Sequence, residues 1–236
     1  MKNEILICGK VYNPEISSGN INGPRRVLWN LVDCLRKDEG LIVRTPYTNN
    51  RSVFLTLLDI LNFSGSIVNI HGIGYVQFFS LVVSKIRKKK VVYTCHGLVS
   101  FEVNMGYKYP FLFRFIEESI LDGSDTIVAV SFLHKNLILN QYPKIKSDVV
   151  VIPNAIQDSF ISDASALSSQ FRPSHEYPRV LFLGGVFKTK GLSFLVDALN
   201  LMNIDVSFYL GGDSKEMYER ALSEKINSKI SVNYSG

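Results

Sequence analysis

The chain has 236 residues, of which 46% are hydrophobic and 20% are charged, a balance typical of a folded globular protein. Its formal net charge of +5 favours anionic partners, but no basic stripe interleaved with aromatic residues indicates a nucleic-acid platform. The three cysteines do not have the spacing of a disulfide framework or a zinc site. No apolar run has the length of a membrane span or the pattern of a signal peptide, so we expect a cytoplasmic protein.

Short apolar segments alternate with longer amphipathic segments along nearly the whole chain. In its first part the pattern predicts strands at residues 4–8, 41–44, 66–70, 91–95, 126–130 and 148–152. Residues 25–37, between the first two strands, place their apolar side chains on one helical face. Strands that are apolar throughout are typical of a parallel sheet covered by helices on both faces. The sequence therefore predicts an α/β domain with a Rossmann-like sheet over residues 1–160.

The composition changes after residue 160. Residues 161–178 are rich in Ser, Pro and Ala and carry no strong period, so we interpret them as a linker. The alternation then restarts, with strands predicted at 179–184, 205–212 and 230–236 and helices near 191–201 and 214–226. An open parallel sheet of this size leaves a face and an edge uncovered, so we expect residues 179–236 to form the first part of a second Rossmann-like domain.

Candidate site residues follow the predicted strands, since ligands of open α/β sheets bind beyond the carboxyl ends of the strands. The loop after the first strand delivers Gly23 to the start of a helix, where backbone N–H groups and the helix dipole suit a diphosphate. A long surface loop without a ligand is the alternative. His71 and His96 each stand next to a glycine at the end of a predicted strand. Either side chain can bind a substrate hydroxyl or phosphate, or have a structural role.

A second candidate site lies in the segment VLFLGGVFKTKG, residues 180–191. Gly184 and Gly185 end a predicted strand, and Lys188 and Lys190 stand just before a predicted helix. Lysines are unfavourable at the positive end of a helix, and a bound anion would resolve that conflict. Two solvated lysines in a turn are the alternative.

Three further polar features have straightforward structural interpretations. Ser131 is predicted to cap the N-terminus of a helix, and Asn154 is typical of a turn. The basic run at 85–90 follows a strongly apolar helical segment, YVQFFSLVVSKI. It indicates either a solvated turn after a buried helix or a patch that contacts an anionic membrane surface.

Six segments in order resemble the retaining, nucleotide-sugar-dependent glycosyltransferases of family 4: NGPRRVLWNLVDCL, NIHGIG, VVYTCHGL, SDTIVAVS, VVVIPNAI and RVLFLGGVFKTKGLSFLVDAL. The resemblance implies the GT-B architecture, two Rossmann-like domains that face each other across a cleft. It also implies that the first domain takes the acceptor and the second the nucleotide sugar. The implied activity is metal-free, retaining sugar transfer from a nucleoside-diphosphate sugar to a saccharide or lipid-linked saccharide in bacterial surface polysaccharide synthesis, without a cofactor. For some relatives the resemblance implies peripheral contact with the inner membrane.

The resemblance also assigns roles to individual residues. His96 matches the histidine near the transferred sugar, whereas Gly23 and Lys190 match residues at the donor diphosphate. Gly185 stands where the family usually has an arginine, and Lys188 is a nearby substitute that lacks the bidentate guanidinium. A fixed ammonium would stabilise the charge that develops on the departing nucleoside diphosphate.

Two departures from the family pattern leave alternatives open. The usual Asn-Gly-x-Asp junction reads Asn154-Ala155-Ile156-Gln157, and the E-x7-E element of the family would lie beyond Gly236. The sequence is therefore expected to hold an acceptor domain joined to part of a donor domain. A non-catalytic remnant or partner subunit that keeps the acceptor domain is the alternative. A nicotinamide-dependent enzyme is disfavoured because the first loop lacks G-x-G-x-x-G.

Overall fold

The computed structural model describes residues 3–11, 23–46, 52–155, 161–162, 165, 177–187, 190–202, 204–222 and 225–235. The chain divides into two compact units, Met1–Ala164 and Ser165–Gly236. Most of the predicted linker at 161–178 lies outside the described residues, so its bounds remain a prediction. Helices and strands are numbered below over the described part of the chain.

Strands and helices alternate in the first unit. Its strands are β1 (Asn3–Cys8), β2 (Leu41–Arg44), β3 (Ile67–His71), β4 (Lys90–Cys95), β5 (Thr126–Ala129) and β6 (Asp148–Val151). Its helices are α1 (Gly23–Arg36), α2 (Val53–Asn62), α3 (Tyr75–Ile86), α4 (Val99–Asn104), α5 (Phe113–Gly123) and α6 (Phe132–Gln141). The six predicted strands are confirmed to within one or two residues at each end.

The six strands form one parallel sheet in the order β2-β1-β3-β4-β5-β6. This confirms the predicted α/β fold with a Rossmann-like parallel sheet. From β1 the chain moves to one side to form β2 and then crosses to the other side to form β3. Such a reversal opens a crevice at the carboxyl ends of the two strands that flank it, here β1 and β3.

The core of the first unit lies on both faces of this sheet. Successive side chains of a strand point to opposite faces, and β1 follows this rule. Ile7 packs with Leu28 and Val32 of α1, whereas Leu6 and Cys8 join a larger buried cluster on the opposite face. The larger cluster draws on α2, α3, α5 and α6. Burial of both faces explains why the strands read as uninterrupted apolar runs.

The second unit contains a smaller sheet. Its elements are β7 (Arg179–Leu183), α7 (Leu192–Met202), β8 (Val206–Gly211), α8 (Lys215–Leu222) and β9 (Ile230–Ser235). The strands are parallel in the order β7-β8-β9. Phe208 and Leu210 of β8 are fully buried and form the centre of the core of this unit. The partial second sheet predicted from the sequence is therefore confirmed.

Side-chain caps fix the start of two helices in the first unit. The hydroxyl of Ser131 accepts the N–H of His134 at 3.0 Å, so the predicted N-cap of α6 is confirmed. Glu117 of α5 is fully buried and accepts the N–H groups of Val99 at 2.6 Å and Ser100 at 3.4 Å. Its carboxylate thereby pairs donors at the start of α4 that would otherwise be orphaned.

The basic run at 85–90 contacts the unit to which it belongs. Arg87 donates to the carbonyl of Phe63 at 3.2 Å, and Lys89 donates to the carbonyl of Gly65. The ammonium of Lys89 also lies 4.7 Å from the centre of the Phe63 ring. These contacts favour the structural interpretation of the run, in which its cations hold the end of α3 against the turn after α2.

Replacing Glu117 with alanine tests the cap of α4. The side chain also accepts the hydroxyl of Tyr142, so E117A leaves several buried donors without an acceptor. We expect the free energy of unfolding to fall by about 2–4 kcal/mol, measured by chemical denaturation. The control E118A, at an exposed position on the same helix, is expected to change it by less than about 0.5 kcal/mol. Equal losses in the two variants would contradict the capping role.

Candidate active site

A cavity of about 640 Å³ opens at the carboxyl ends of β1, β3 and β4, where the strand order predicts a crevice. Its polar lining comes from five helices and strands and from the loops after β1, β4 and α4. The polar residues that line it are Lys10, Arg25, His71, Tyr75, Gln77, Tyr93, His96, Glu102 and Tyr109. His71 and His96, two of the candidate residues of the first unit, both line this cavity, as the fold predicts.

The wall of the cavity next to α1 is electropositive. Helix α1 begins at Gly23 and has no acidic residue in its first turn, so no side chain of that turn opposes the positive end of its dipole. Lys10, which follows β1, and Arg25, at the third position of α1, both line the cavity. The sequence analysis selected Gly23 but missed these two cations. Arg25 was recognisable from its place in the first turn of the predicted helix.

His71 and His96 form a hydrogen-bonded pair in the cavity wall. His71 is the last residue of β3, and His96 directly follows β4, so parallel pairing brings them side by side. Nδ1 of His71 lies 3.1 Å from Nε2 of His96, and the two rings are stacked with centroids 5.4 Å apart. The sequence analysis selected both positions but did not predict their contact.

Burial keeps both imidazoles uncharged near neutral pH. His71 is 4% exposed, and its burial, with a smaller effect of His96, lowers its pKa to about 3. Burial and then the nearby His134 lower the pKa of His96. The pair can therefore act through hydrogen bonds rather than through a fixed positive charge.

Two glycines give His71 its position. Gly9 is buried at the end of β1, and a Cβ there would lie 2.8 Å from the Cβ of His71 and 2.6 Å from Cδ2 of Leu28. Gly72 turns the chain after β3 with φ of +75°, a conformation that favours glycine. The imidazole therefore packs against the β1 backbone, and the chain then turns away to begin α3.

The opposite wall combines a carboxylate with aromatic rings. The hydroxyl of Tyr109 donates to Glu102, and Tyr75 and Phe113 pack edge to face with centroids 5.6 Å apart. Carboxylates accept hydrogen bonds from hydroxyl groups, and aromatic faces pack against apolar ligand surfaces. The sequence analysis missed this wall because Glu102 and Tyr109 lie between β4 and β5 without a motif, and Tyr75 comes from the start of α3.

In the second unit, the glycine turn after β7 packs tightly against the end of β8. Gly212 has φ of +113°, and a Cβ there would lie 3.1 Å from the nitrogen of Gly184. The Tyr218 hydroxyl donates to the carbonyl of Gly211 at 2.8 Å and also contacts that of Gly184. Close backbone approach therefore accounts for Gly212, whereas a Cβ on Gly184 would lie 3.4 Å from the Phe182 ring, an ordinary contact.

A carboxylate occupies the turn in which the sequence predicts a diphosphate. Asp213 accepts the N–H of Val186 at 2.8 Å, and a Cβ on Gly185 would lie 2.9 Å from the same carboxylate oxygen. Lys190 is exposed just before α7, whereas Lys188 lies outside the described residues. The diphosphate role of Gly185 and the two lysines stays a prediction, and Asp213 is a feature of this turn that the sequence analysis missed.

None of the helices in the described ranges is both long and apolar enough to cross a membrane. Within the same ranges, His, Cys, Asp and Glu side chains do not form a group of three or more that could hold a metal ion.

Solved structures with similar folds include GT-B enzymes. A trehalose-phosphate synthase from Burkholderia xenovorans is 8% identical with a TM-score of 0.59, over 99% of this chain and 75% of that chain. A glycosyltransferase from Rickettsia africae is 18% identical with a TM-score of 0.54, over 100% and 69%. A UDP-GlcNAc 2-epimerase from Neisseria meningitidis is 13% identical with a TM-score of 0.48, over 100% and 73%. The fold is GT-B-like, as predicted.

The family profile described as Glycosyltransferase Family 4 matches residues 54–160. The matched segment contains β3 to β6 and both histidines of the cavity. The predicted resemblance to glycosyltransferase family 4 is therefore confirmed over this segment. No curated protein matches the chain.

The burial of His71 predicts how stability depends on pH. The unfolded chain gains a proton on this side chain below its ordinary pKa of 6.5, whereas the folded protein gains it only near pH 3. The free energy of unfolding is therefore expected to fall as the pH drops below 6.5, by up to about 1.4 kcal/mol per pH unit. Urea denaturation between about pH 7 and about pH 5 measures this slope, and H71F is expected to reduce it.

V68A is the matched control for this slope. Val68 is a buried residue of the same strand, so its truncation lowers the stability without removing a titratable group. The control is expected to keep the wild-type slope. A slope in H71F as steep as in the wild-type protein would contradict the account.

Proposed function

We propose that this chain is a glycosyltransferase that moves a sugar from a nucleoside-diphosphate sugar to a saccharide acceptor. The observation that carries the proposal is the cavity at the β1/β3 crevice, where His96 and Arg25, in the first turn of α1, line the same surface. A fold alone does not define a reaction, so the proposal depends on this site and on the family match.

The donor diphosphate is proposed to bind at cationic and glycine-rich positions. Gly23 offers backbone N–H groups at the start of α1, supported by Lys10 and Arg25 in the cavity wall. Lys190 is the proposed cation that stabilises the charge of the leaving nucleoside diphosphate. Gly185 and Lys188 remain proposed members of this diphosphate site.

The acceptor is proposed to bind against the wall formed by Glu102 and Tyr109. The Glu102 carboxylate and the phenol oxygen of Tyr109 can accept hydrogen bonds from sugar hydroxyls, and the neighbouring aromatic rings suit the apolar faces of a sugar. The partly buried His96 lines the same cavity and is the proposed catalytic contact to the transferred sugar. Placing both reactants in one cavity supplies orientation, which accounts for much of the rate gain in group transfer.

We propose that transfer proceeds with retention and without a metal or other cofactor. The cations and N–H groups named for the diphosphate would balance its negative charge, a role that divalent metals have in other transferases. In a front-face reaction the acceptor hydroxyl attacks from the side of the departing diphosphate, so the sugar keeps its anomeric configuration. This proposal assigns no base to the protein.

The proposed setting is bacterial surface polysaccharide synthesis by a cytoplasmic protein that contacts the inner membrane and takes a lipid-linked acceptor. Support comes from apolar side chains exposed close to the cavity, with Phe111 93% and Phe115 60% exposed. Lys108 and Arg114 lie among them and are also exposed. Apolar side chains flanked by cations suit an anionic lipid surface.

Co-sedimentation with vesicles that contain anionic lipid tests this membrane contact. We expect the wild-type protein to bind the vesicles and F111D to lose the binding, and equal binding by F111D would contradict the proposal.

Incubation with a panel of labelled nucleoside-diphosphate sugars and saccharide acceptors tests the proposed reaction. We expect a glycosylated product whose anomeric configuration matches that of the donor, without added metal.

H96A is expected to lower kcat at least about a hundredfold. K190M is expected to weaken nucleoside-diphosphate binding about tenfold, because it loses an ionic contact. The control K225M replaces a lysine that precedes β9, at the opposite edge of the sheet from the end of β7, and is expected to bind normally.

Two other outcomes of this assay would count against the proposed transfer reaction. Epimerisation of the nucleotide sugar without transfer would overturn the proposal in favour of the reaction named for the Neisseria meningitidis protein. Acceptor binding without turnover by any donor would favour a non-catalytic partner subunit.

A further inference from the structure

The contact between His71 and His96 defines which ring nitrogens carry protons. Their facing atoms, Nδ1 of His71 and Nε2 of His96, are 3.1 Å apart, so one of them donates a hydrogen and the other accepts it. Because both rings are neutral near neutral pH, each has one N–H and one lone pair. Only two arrangements satisfy the contact.

In the first arrangement, His71 donates from Nδ1–H and His96 accepts on Nε2. The proton of His96 is then on Nδ1, and the other nitrogen of His71 has a lone pair. In the second, His96 donates from Nε2–H and His71 accepts on Nδ1. The proton of His71 is then on Nε2.

The surroundings of His71 decide between the two. Its Nε2 is buried and has no hydrogen-bond partner among the described residues. The second arrangement would therefore bury an N–H group without an acceptor, whereas the first leaves only an unused lone pair. Orphaned buried N–H groups are rarer in proteins than acceptors left with an unused lone pair. The first arrangement is favoured.

We propose that His71 is a positioning residue that holds His96 in the Nδ1–H tautomer, so that His96 acts on its ligand as a hydrogen-bond donor and not as a base. The free nitrogen of His96 is Nδ1, because Nε2 is occupied by His71. In this tautomer Nδ1 donates to an oxygen of the bound sugar and has no lone pair with which to accept a proton.

This inference rests on the proposed function only for the identity of the ligand oxygen. The hydrogen bond to His96 gives His71 a positioning role, which a buried histidine without such a contact would not have. The close approach of Gly9 and the turn at Gly72 hold the ring of His71 in place, so the donor is preorganised. An oriented donor of this kind matches a sugar-transfer site that needs no protein base.

Nitrogen NMR of the whole chain labelled with [15N]histidine tests the proposal without any substrate. The chain has four histidines, so single variants assign each signal. Two-bond correlations from the ring carbon-bound hydrogens identify which nitrogen is protonated. At neutral pH we expect His71 and His96 both to be protonated on Nδ1. Protonation of His96 on Nε2 in the wild-type protein would overturn the proposal, even if every variant failed to fold.

Three variants separate positioning from packing. In H71N the side-chain amide can still donate near the position of Nδ1, so His96 is expected to keep its tautomer. In H71F no donor remains, and the Nε2–H form of His96 is expected to appear. H134N, at the buried histidine next to Cys95, is the matched control and is expected to leave the tautomer of His96 unchanged. Retention of the Nδ1–H form in folded H71F would contradict the proposal.

Kinetics then connect the tautomer to the proposed reaction. H71F is expected to lower kcat at least about tenfold with little change in KM, and H71N is expected to recover most of the loss. A folded H71F with normal kcat would show that the tautomer has no catalytic role. Because the NMR measurement needs no activity, failure of the proposed transferase function and failure of the tautomer assignment are distinguishable.

Discussion

The reversal of strand order at β1 is the constraint on which the site depends. Once β2 and β3 pair with opposite edges of β1, the connections that leave β1 and β3 diverge, and the space between their carboxyl ends remains open. The sheet is buried on both faces, so the open space at its edge is where polar side chains collect. Gly9 ends β1 without a side chain, which leaves room for His71 beside the strand.

The glycine-rich strand ends of the two units differ in the charge of the side chains around them. In the first unit, Lys10 and Arg25 line a cavity beside the positive end of α1, so the local field favours an anion. In the second unit, Asp213 holds the turn after β7 and brings negative charge next to Gly185. A diphosphate at that turn would therefore need a compensating cation. The exposed side chain of Lys190 is available for this role, since it lies just beyond the turn.

Most of the fold could be predicted from the sequence because its signals are local. Uninterrupted apolar runs mark the strands, the apolar stripe of α1 marks its buried face, and Ser131 marks the start of α6. His96 could be selected for the same reason, since it directly follows a strand. The pairing of His71 with His96 could not, because it depends on which strands are neighbours and on register. Glu102 lies in the short helix α4 and Tyr109 in the loop after it, and the path of both is set by tertiary contacts rather than by a motif.

Glycines were the least predictable feature of the candidate sites. Gly184 and Gly185 end β7 as predicted, but the structure places the Gly184 backbone close to Gly212 and the Asp213 carboxylate beside Gly185. A sequence shows that a side chain is missing but not which neighbour fills the space. Lys188, one of the two lysines on which the predicted anion site rests, lies outside the described residues.

The central claim, that the cavity of the first unit binds a sugar substrate, is tested most directly by mapping backbone amide NMR signals during titration with nucleoside-diphosphate sugars and saccharide acceptors. The account predicts the largest changes at the cavity, at Lys10 after β1, Gly72 after β3 and Gly97 after β4. Saturable binding with changes confined to other surfaces, such as the outer strands β2 and β6, would contradict it.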